Sequence, residues 1–231
     1  MIKGIVFDID GTLLNHEQAL ERSLISLYSL MKKQIPNLSF DEFFVTWKTK
    51  TDHYINEYLD GCISFEQQRI LRVQSVFSNW GYELSSDEAM DVFNRYLFKY
   101  EQNWRLYEDA LPCLTMVKNF SLGIISDGDG EQQRRKLAVT KIDSFFTSII
   151  ISGEVGQRKP NYKIFEMSAR DLNLSLDEIV YVGDLLENDA LGAFNAGMHG
   201  VLIDRMNKIH EKYNIRIISR LTELPQLIEK F

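Results

Sequence analysis

A short apolar run, Gly4-Ile5-Val6-Phe7, stops at two aspartates in Asp8-Ile9-Asp10-Gly11-Thr12, and no second strand-like run follows until Leu122. The run is rich in Ile and Val and free of proline, which suits a strand buried on both faces of a parallel sheet. A strand needs a neighbour, so its partners must lie beyond residue 120 and everything between is an insertion placed just after the aspartates. Ligands bind at the carboxyl ends of strands in open α/β sheets. Side-chain alternation along an extended backbone puts Asp8 and Asp10 on one side and Ile9 on the other. Carboxylates that close repel, and both stay charged only around a cation; otherwise one keeps a proton. Taken alone, the stretch also reads as a surface turn, because Asp-Gly is a common turn dipeptide.

The insertion is helical throughout. Ala19, Leu20, Leu24, Leu27, Tyr28 and Met31 recur at helical spacing, with Pro36 as the stop. Three capping boxes are expected, at Ser39-Phe40-Asp41-Glu42, Ser64-Phe65-Glu66-Gln67 and Ser85-Ser86-Asp87-Glu88. They open helices carrying Phe43, Trp47 and Tyr58, then Val73 and Phe77, then Phe93, Tyr96 and Tyr100, so residues 15–105 form a helical bundle. The aromatics Trp47, Tyr54, Tyr58, Trp80 and Trp104 are read mostly as its core. An insertion at the carboxyl edge of a sheet suits a lid over the ligand crevice.

Beyond residue 110 strands and helices alternate. Short apolar runs at 122–125, 148–151, 179–182, 200–203 and 215–218 are separated by helical patterns such as 164–172 and 190–196. That alternation means a parallel sheet with right-handed crossovers. Polar residues recur where these strands end: Ser126-Asp127-Gly128, then Lys159-Pro160, then Gly183-Asp184 with Asn188-Asp189. One crevice would gather Asp8, Asp10, Ser126, Lys159, Asp184 and Asp189.

Composition narrows the classes. A chain of 231 residues, 45% hydrophobic with 14 Phe, holds one large domain or one domain with an inserted second. A net charge of −7 gives no general attraction for nucleic acid or an anionic membrane, so any bound anion depends on a few placed cations. Cys62 and Cys113, with no CxxC, argue against a disulfide framework or zinc site and fit a reducing compartment. The opening stretch meets Asp8 too early for a signal peptide, and no apolar run approaches the ~20 residues needed to cross a bilayer. The expected location is the cytoplasm, as a monomer or small homo-oligomer.

These stretches together resemble the haloacid dehalogenase superfamily of hydrolases. Asp8-Ile9-Asp10-Gly11-Thr12 matches motif I, Ser126 motif II, Lys159-Pro160 motif III, and Gly183-Asp184 with Asn188-Asp189 motif IV, in family order. Gly192-Ala193 and Ala196-Gly197-Met198 continue the likeness, and the insertion is similar to the family's C1 caps. The resemblance implies an α/β fold: a Rossmann-like parallel sheet core of 1–14 plus 106–231, with an all-helical cap over 15–105. It implies a Mg²⁺-dependent phosphatase acting on a small phosphorylated metabolite through an aspartyl-phosphate. Asp8 would be the nucleophile. Asp10 would be the acid and base, its pKa raised by neighbouring carboxylates, with its backbone carbonyl on the metal. Ser126 and Lys159 would hold phosphate oxygens beside Asp127 and Gly128, while Asp8, Asp10, Asp184 and Asp189 would face Mg²⁺, Asp189 directly or one shell out.

The chain departs from the family at motif II, where Asp127-Gly128-Asp129-Gly130 replaces the frequent Asn-Gly. Two acidic groups near a phosphate either face away or meet hydroxyls or amines of the substrate. Asn15, His16 and Arg158 are secondary candidates for substrate contact; His53, His199 and His210 show no ligand spacing and read as structural. A nicotinamide site fails because Gln133 stands where GxGxxG needs its third glycine. An EF-hand at Asp8 fails on Leu13 and Ala19. Asp10 argues against the dehalogenases, which lack it. Phosphosugar mutases are the alternative enzyme class, and a non-catalytic regulator on this fold is the alternative outside catalysis. Ile151-Ser152-Gly153-Glu154-Val155-Gly156 resembles the branch of pyrimidine 5′-nucleotidases and acylneuraminate-9-phosphatases, which makes a nucleoside 5′-monophosphate the first substrate expected.

Overall fold

The computed structural model describes residues 1–33, 35, 37–207, 213 and 215–231. Pro36 and His210 lie outside the described residues. The contacts divide the chain into two units, 1–16 with 105–231, and 17–104.

The first unit is built on six parallel strands, β1 (Gly4–Phe7), β2 (Ser121–Ser126), β3 (Ser148–Ile151), β4 (Ile179–Gly183), β5 (His199–Ile203) and β6 (Arg216–Ile218), in the order β3-β2-β1-β4-β5-β6. The first strand is central, and both its partners, β2 and β4, lie beyond residue 120, as its lack of any partner in the insertion requires. Phe7 sits between Ile124 and Val182, so the chain leaves the sheet beside the ends of β2 and β4. Every residue of β1 is buried. On one face, Val6, Ile125 and Tyr181 pack on Ile164, Phe165 and Ala169 of a crossover helix.

The helices run α1 (His16–Met31), α2 (Phe40–Leu59), α3 (Phe65–Ser78), α4 (Ser86–Gln102), α5 (Ala110–Met116), α6 (Gly130–Thr140), α7 (Ser152–Val155), α8 (Tyr162–Asp171), α9 (Gly192–Ala196) and α10 (Leu224–Ile228). A π-helical turn, Leu186–Leu191, runs into α9. The second unit comprises α2–α4 and all of α1 after His16. Its core is aromatic: Trp47 lies 4.7 Å from Tyr96, which stacks on Tyr100 at 5.7 Å. Trp47 and Trp104 are buried, while Tyr54, Tyr58 and Trp80 are half-buried.

The boxes at Ser64 and Ser85 close as expected, each side chain accepting from the backbone N–H three residues on. The box at Ser39 does not form: α2 starts there, but the Ser39 side chain makes no cap bond. Aromatic packing fixes that end instead, with Phe40 and Phe43 at 5.4 Å and 6.3 Å from the Tyr28 ring.

Candidate active site

The carboxyl ends of β1, β2 and β4 converge on two linked clusters. Lys159 is the hub of the first. Only 4% exposed, it donates through Nζ to Asp8 Oδ1 and to Asp189 Oδ1, both at 2.7 Å, and to the Tyr181 hydroxyl at 3.2 Å. Burial works against its charge, but Asp189 and Asp8 outweigh burial and hold it firmly protonated. The Lys159–Pro160 peptide is cis. Asp189 is fully buried and is gripped at its other oxygen by the Leu185 N–H at 2.9 Å. Its approach depends on Gly183: a Cβ there would lie 2.3 Å from Asp189 Cγ.

Asp184 completes the group. Asp8, Asp184 and Asp189 each offer a carboxylate oxygen, all within 4.8 Å of one another. Burial first, then the charge of Asp189, pushes Asp184 up to about 7. Asp8 is likewise raised well above the ordinary carboxylate range, by burial first and then by Asp189 and Asp184 against the pull of Lys159. Three carboxylates against one ammonium leave negative charge in excess. The donors are hard oxygens with no His or Cys among them, and that set fits Mg²⁺ better than a soft transition metal.

Asp10 belongs to the second cluster. After Phe7 the chain turns, with the Leu13 and Leu14 N–H groups both donating to Ile9 O, and the Asp10 side chain faces α6. Its Oδ2 accepts from Lys136 Nζ at 2.5 Å and from Gln133 Nε2 at 2.9 Å, while Oδ1 is buried with no partner among the described residues. The expected upward shift of Asp10 is therefore corrected. Burial does raise it, but Lys136, His16 and Gln133 more than cancel burial, and its pKa lies below the ordinary value. Of the two motif I carboxylates, Asp8 is paired with Lys159 and Asp10 with Lys136.

Gln133 also reaches Ser126 Oγ at 2.9 Å and Asp127 O at 2.8 Å, so one amide group serves three acceptors. With Ser126 accepting from Gln133, its own hydroxyl proton is left to donate elsewhere. The extra acids of motif II have local work. Asp129 caps α6 by accepting from Gln132 N, and Asp127 accepts the Lys159 backbone N–H at 3.2 Å. The Gly128 N–H donates to Ser152 Oγ at 2.9 Å. Gln133, Lys136 and Tyr181 were not legible as site residues from the sequence. The signal for the first two was their i, i+3 spacing on a helix opening straight after motif II.

The haloacid dehalogenase-like hydrolase profile matches residues 5–203. The glyceraldehyde 3-phosphate phosphatase of Methanothermobacter thermautotrophicus is 34% identical over 99% of both chains. The N-acylneuraminate-9-phosphatase of Homo sapiens is 23% identical over 99% of this chain and 94% of that one. In fold, the chain matches the HAD-hydrolase YfnB from Bacillus subtilis, solved bound to magnesium, with a TM-score of 0.80 over 98% of both chains at 22% identity. A profile match across most of the length, together with a relative at a third identity from end to end, establishes that the chain belongs to the haloacid dehalogenase-like hydrolase family of enzymes.

Proposed function

We propose that this enzyme is a Mg²⁺-dependent phosphatase that hydrolyses a phosphate monoester of a small metabolite through an aspartyl-phosphate on Asp8. The observation that carries the reading is the bridge Asp8–Lys159–Asp189 next to a separately held Asp10. A nucleophile and a proton carrier sit side by side in different electrostatic settings, as two-step phosphoryl transfer needs.

Asp8 attacks phosphorus and the P–O bond to the leaving group breaks. Asp10 gives that oxygen its proton. In the second step Asp10 takes a proton from water, the water oxygen attacks the phosphoryl group, and Asp8 is released with inorganic phosphate. The Lys136 pair keeps Asp10 ionised in the free enzyme, which is the form the second step uses; the negative charge of an arriving phosphate raises its proton affinity, so that it takes up a proton from solvent before the first. Lys159 and the Ser126 hydroxyl hold the phosphate oxygens as charge gathers there. Asp8, Asp184 and Asp189 would hold the Mg²⁺, with the Asp10 backbone carbonyl as the family implies. When bound, the ion supplies positive charge that lets Asp8 stay ionised beside a phosphate dianion.

The two full-length relatives support a phosphate on a short hydroxylated carbon chain as substrate, since glyceraldehyde 3-phosphate and N-acylneuraminate 9-phosphate share that chemistry. The nucleoside monophosphate reading is weaker. The stretch that suggested it serves the scaffold, with Ser152 on the Gly128 N–H and Glu154 forked on Arg134 at 2.6 Å and 2.8 Å.

The test is phosphate release from triose, sialic acid, nucleoside and aryl monophosphates, with Mg²⁺ and with EDTA. Metal-dependent release, greatest for the hydroxylated chains and abolished by Asp8→Asn, is expected. Asp10→Asn should slow turnover by roughly 10²–10⁴-fold. Full activity in either variant, or no release from any ester, overturns the mechanism; a preference for nucleotides overturns the substrate class alone.

A further inference from the structure

A groove runs between α1 and α4 on the surface of the helical unit. Two adjoining cavities form it, of about 490 Å³ and about 180 Å³, and they share Leu27, Leu30 and Arg95 as walls. Leu27, Met31 and Phe77 are buried and floor the larger cavity, with half-buried Val92 beside them. At the lip Leu30 is 46% and Phe98 58% exposed. Single exposed apolar side chains are ordinary. Here two of them border an apolar cavity with room for an aromatic ring, since a cavity of about 150 Å³ already holds benzene.

Charge along the groove is sorted by position. On α4, Asp87, Glu88 and Asp91 precede Arg95 and Lys99, and all five are exposed. Glu88, Asp91 and Arg95 line the larger cavity, and Arg95, Phe98 and Lys99 the smaller. The Glu88 carboxylate is taken up in capping its own helix through Ser85. Asp91 and Arg95 stand one turn apart on one helix face. Neither side chain makes an ion pair or a hydrogen bond with another described residue. Lys33 also lines the larger cavity, so two acids and two cations surround it and it has no net pull on a charged small molecule.

We propose that a second copy of the chain docks on this groove, α4 against α4 in opposite directions about a two-fold axis level with Phe93. A two-fold interface must be complementary to itself. A face that carries both a knob and a hole, and both signs of charge in order along one helix, meets that demand. Antiparallel pairing about this axis sets Asp91 against Arg95 of the second copy and Asp87 against its Lys99, each pair occurring twice. The same register brings Phe98 of the second copy beside Glu88, at the larger cavity. An aromatic anchor in a desolvated pocket carries much of an interface's energy. The charge pairs set direction and partner more than strength. The surface lies wholly within the helical unit, and the inference does not rest on the reading of Asp8.

The experiment is sedimentation equilibrium of the full chain over a wide concentration range. A reversible monomer–dimer equilibrium is expected. Asp91→Arg and Arg95→Asp each set like charges against one another at both ends of the interface and should weaken association about tenfold or more. An equal mixture of the two single variants restores opposite charges, as does the double variant Asp91→Arg with Arg95→Asp, and both should associate as the parent does. Phe98→Ser should weaken association about tenfold through loss of the anchor. These side chains are exposed, so every variant should melt with the parent. A chain that stays monomeric at every concentration overturns the proposal and leaves the groove to another occupant. A dimer that both single variants form as readily as the parent overturns it too, as do weakened single variants that stay apart on mixing.

Discussion

Lys136 donates to Asp10 Oδ2 at 2.5 Å across 126 residues of chain, with its own side chain only 3% exposed. The pair fixes which oxygen of Asp10 is occupied and leaves Oδ1 for the proton. Lys136→Met removes the cation and leaves Asp10 Oδ2 the neutral Gln133 amide. Removing one partner of a fully buried pair costs about 3–5 kcal/mol. Asp10 is 27% exposed, so solvent takes up part of the loss and about 1–3 kcal/mol is expected. Turnover should fall roughly 10–100-fold with little change in KM, as for loss of an acid–base alignment. Denaturant melts and steady-state kinetics on Lys136→Met, Asp10→Asn and the double variant check this. Strict additivity would show that the two residues act separately.

Gln133 offers one amide group to three acceptors, so the sign of its effect depends on what replaces it. Gln133→Glu puts an acceptor against Asp10 Oδ2, the Ser126 hydroxyl and Asp127 O. Gln133→Leu only removes the donor. The Glu variant should be the slower of the two, by about tenfold. Equal rates would mean that the amide merely fills space.

The sheet was legible because each strand is a short Ile- and Val-rich run closed by a polar residue; Asp8 and Asp184 were legible because they stand at such closures, and Lys159 and Asp189, which lie further on, because their stretches match the family's motifs. Gln133, Lys136 and Tyr181 were not, for a physical reason. A Gln and a Lys on an exposed-looking helix read as solvated side chains, and Tyr181 inside an apolar strand reads as core; only the turn of the chain after Phe7 brings Asp10 to α6. The Ser39 box failed for a related reason. Local capping signals compete with tertiary packing, and the Tyr28, Phe40 and Phe43 cluster decided where α2 begins.

Two glycines make room for the carboxylate cluster proposed to hold Mg²⁺. Gly11 has φ of +86°, and a Cβ there would lie 2.2 Å from Asp184 Oδ2; at Gly183 it would meet Asp189. Either alanine must push a carboxylate out of the cluster. Gly11→Ala adds left-handed backbone strain of about 1 kcal/mol. Both variants should weaken Mg²⁺ binding at least tenfold, on the scale seen when ligand orientation is lost. Isothermal titration with Mg²⁺ reads this directly, and unchanged affinity would place the metal elsewhere.

The carboxylate cluster makes stability depend on pH in an unusual direction. Asp184 sits at about 7 against an ordinary 3.8, so between those values the folded protein holds a proton that the unfolded chain has lost. Stability contributed by that group therefore falls as pH rises through the window, by about 4 kcal/mol in the metal-free protein. Asp8 pushes the same way. Asp10 runs opposite: held below its ordinary value, it contributes stability above that value and loses it on acidification. A divalent cation binds the ionised form and so reverses the slope. Melting in EDTA and in Mg²⁺ should show the metal raising Tm more near about pH 8 than near about pH 5. A Tm in EDTA that climbs steadily from about pH 4 to about pH 7 would sink the assignment.

Arg205 ties the motif I loop to distant parts of the same unit. It forks on Asp109 at 2.9 Å and 3.1 Å, donates to the Thr12 carbonyl at 2.8 Å, and lies 3.6 Å over the Tyr107 ring. Asp109 accepts in turn from the Leu221 N–H at 2.8 Å. One guanidinium therefore fixes the loop that carries Asp8 and Asp10 against the segment returning at 105–109. Arg205→Lys keeps the charge but neither the fork nor the flat face that stacks. A loss of about 1–3 kcal/mol follows, and for a chain of this size a Tm lower by about 2–10 °C. Because Thr12 adjoins the aspartates, kcat should drop about tenfold even where the variant is fully folded. A Lys variant that melts with the parent would show that charge alone holds the loop.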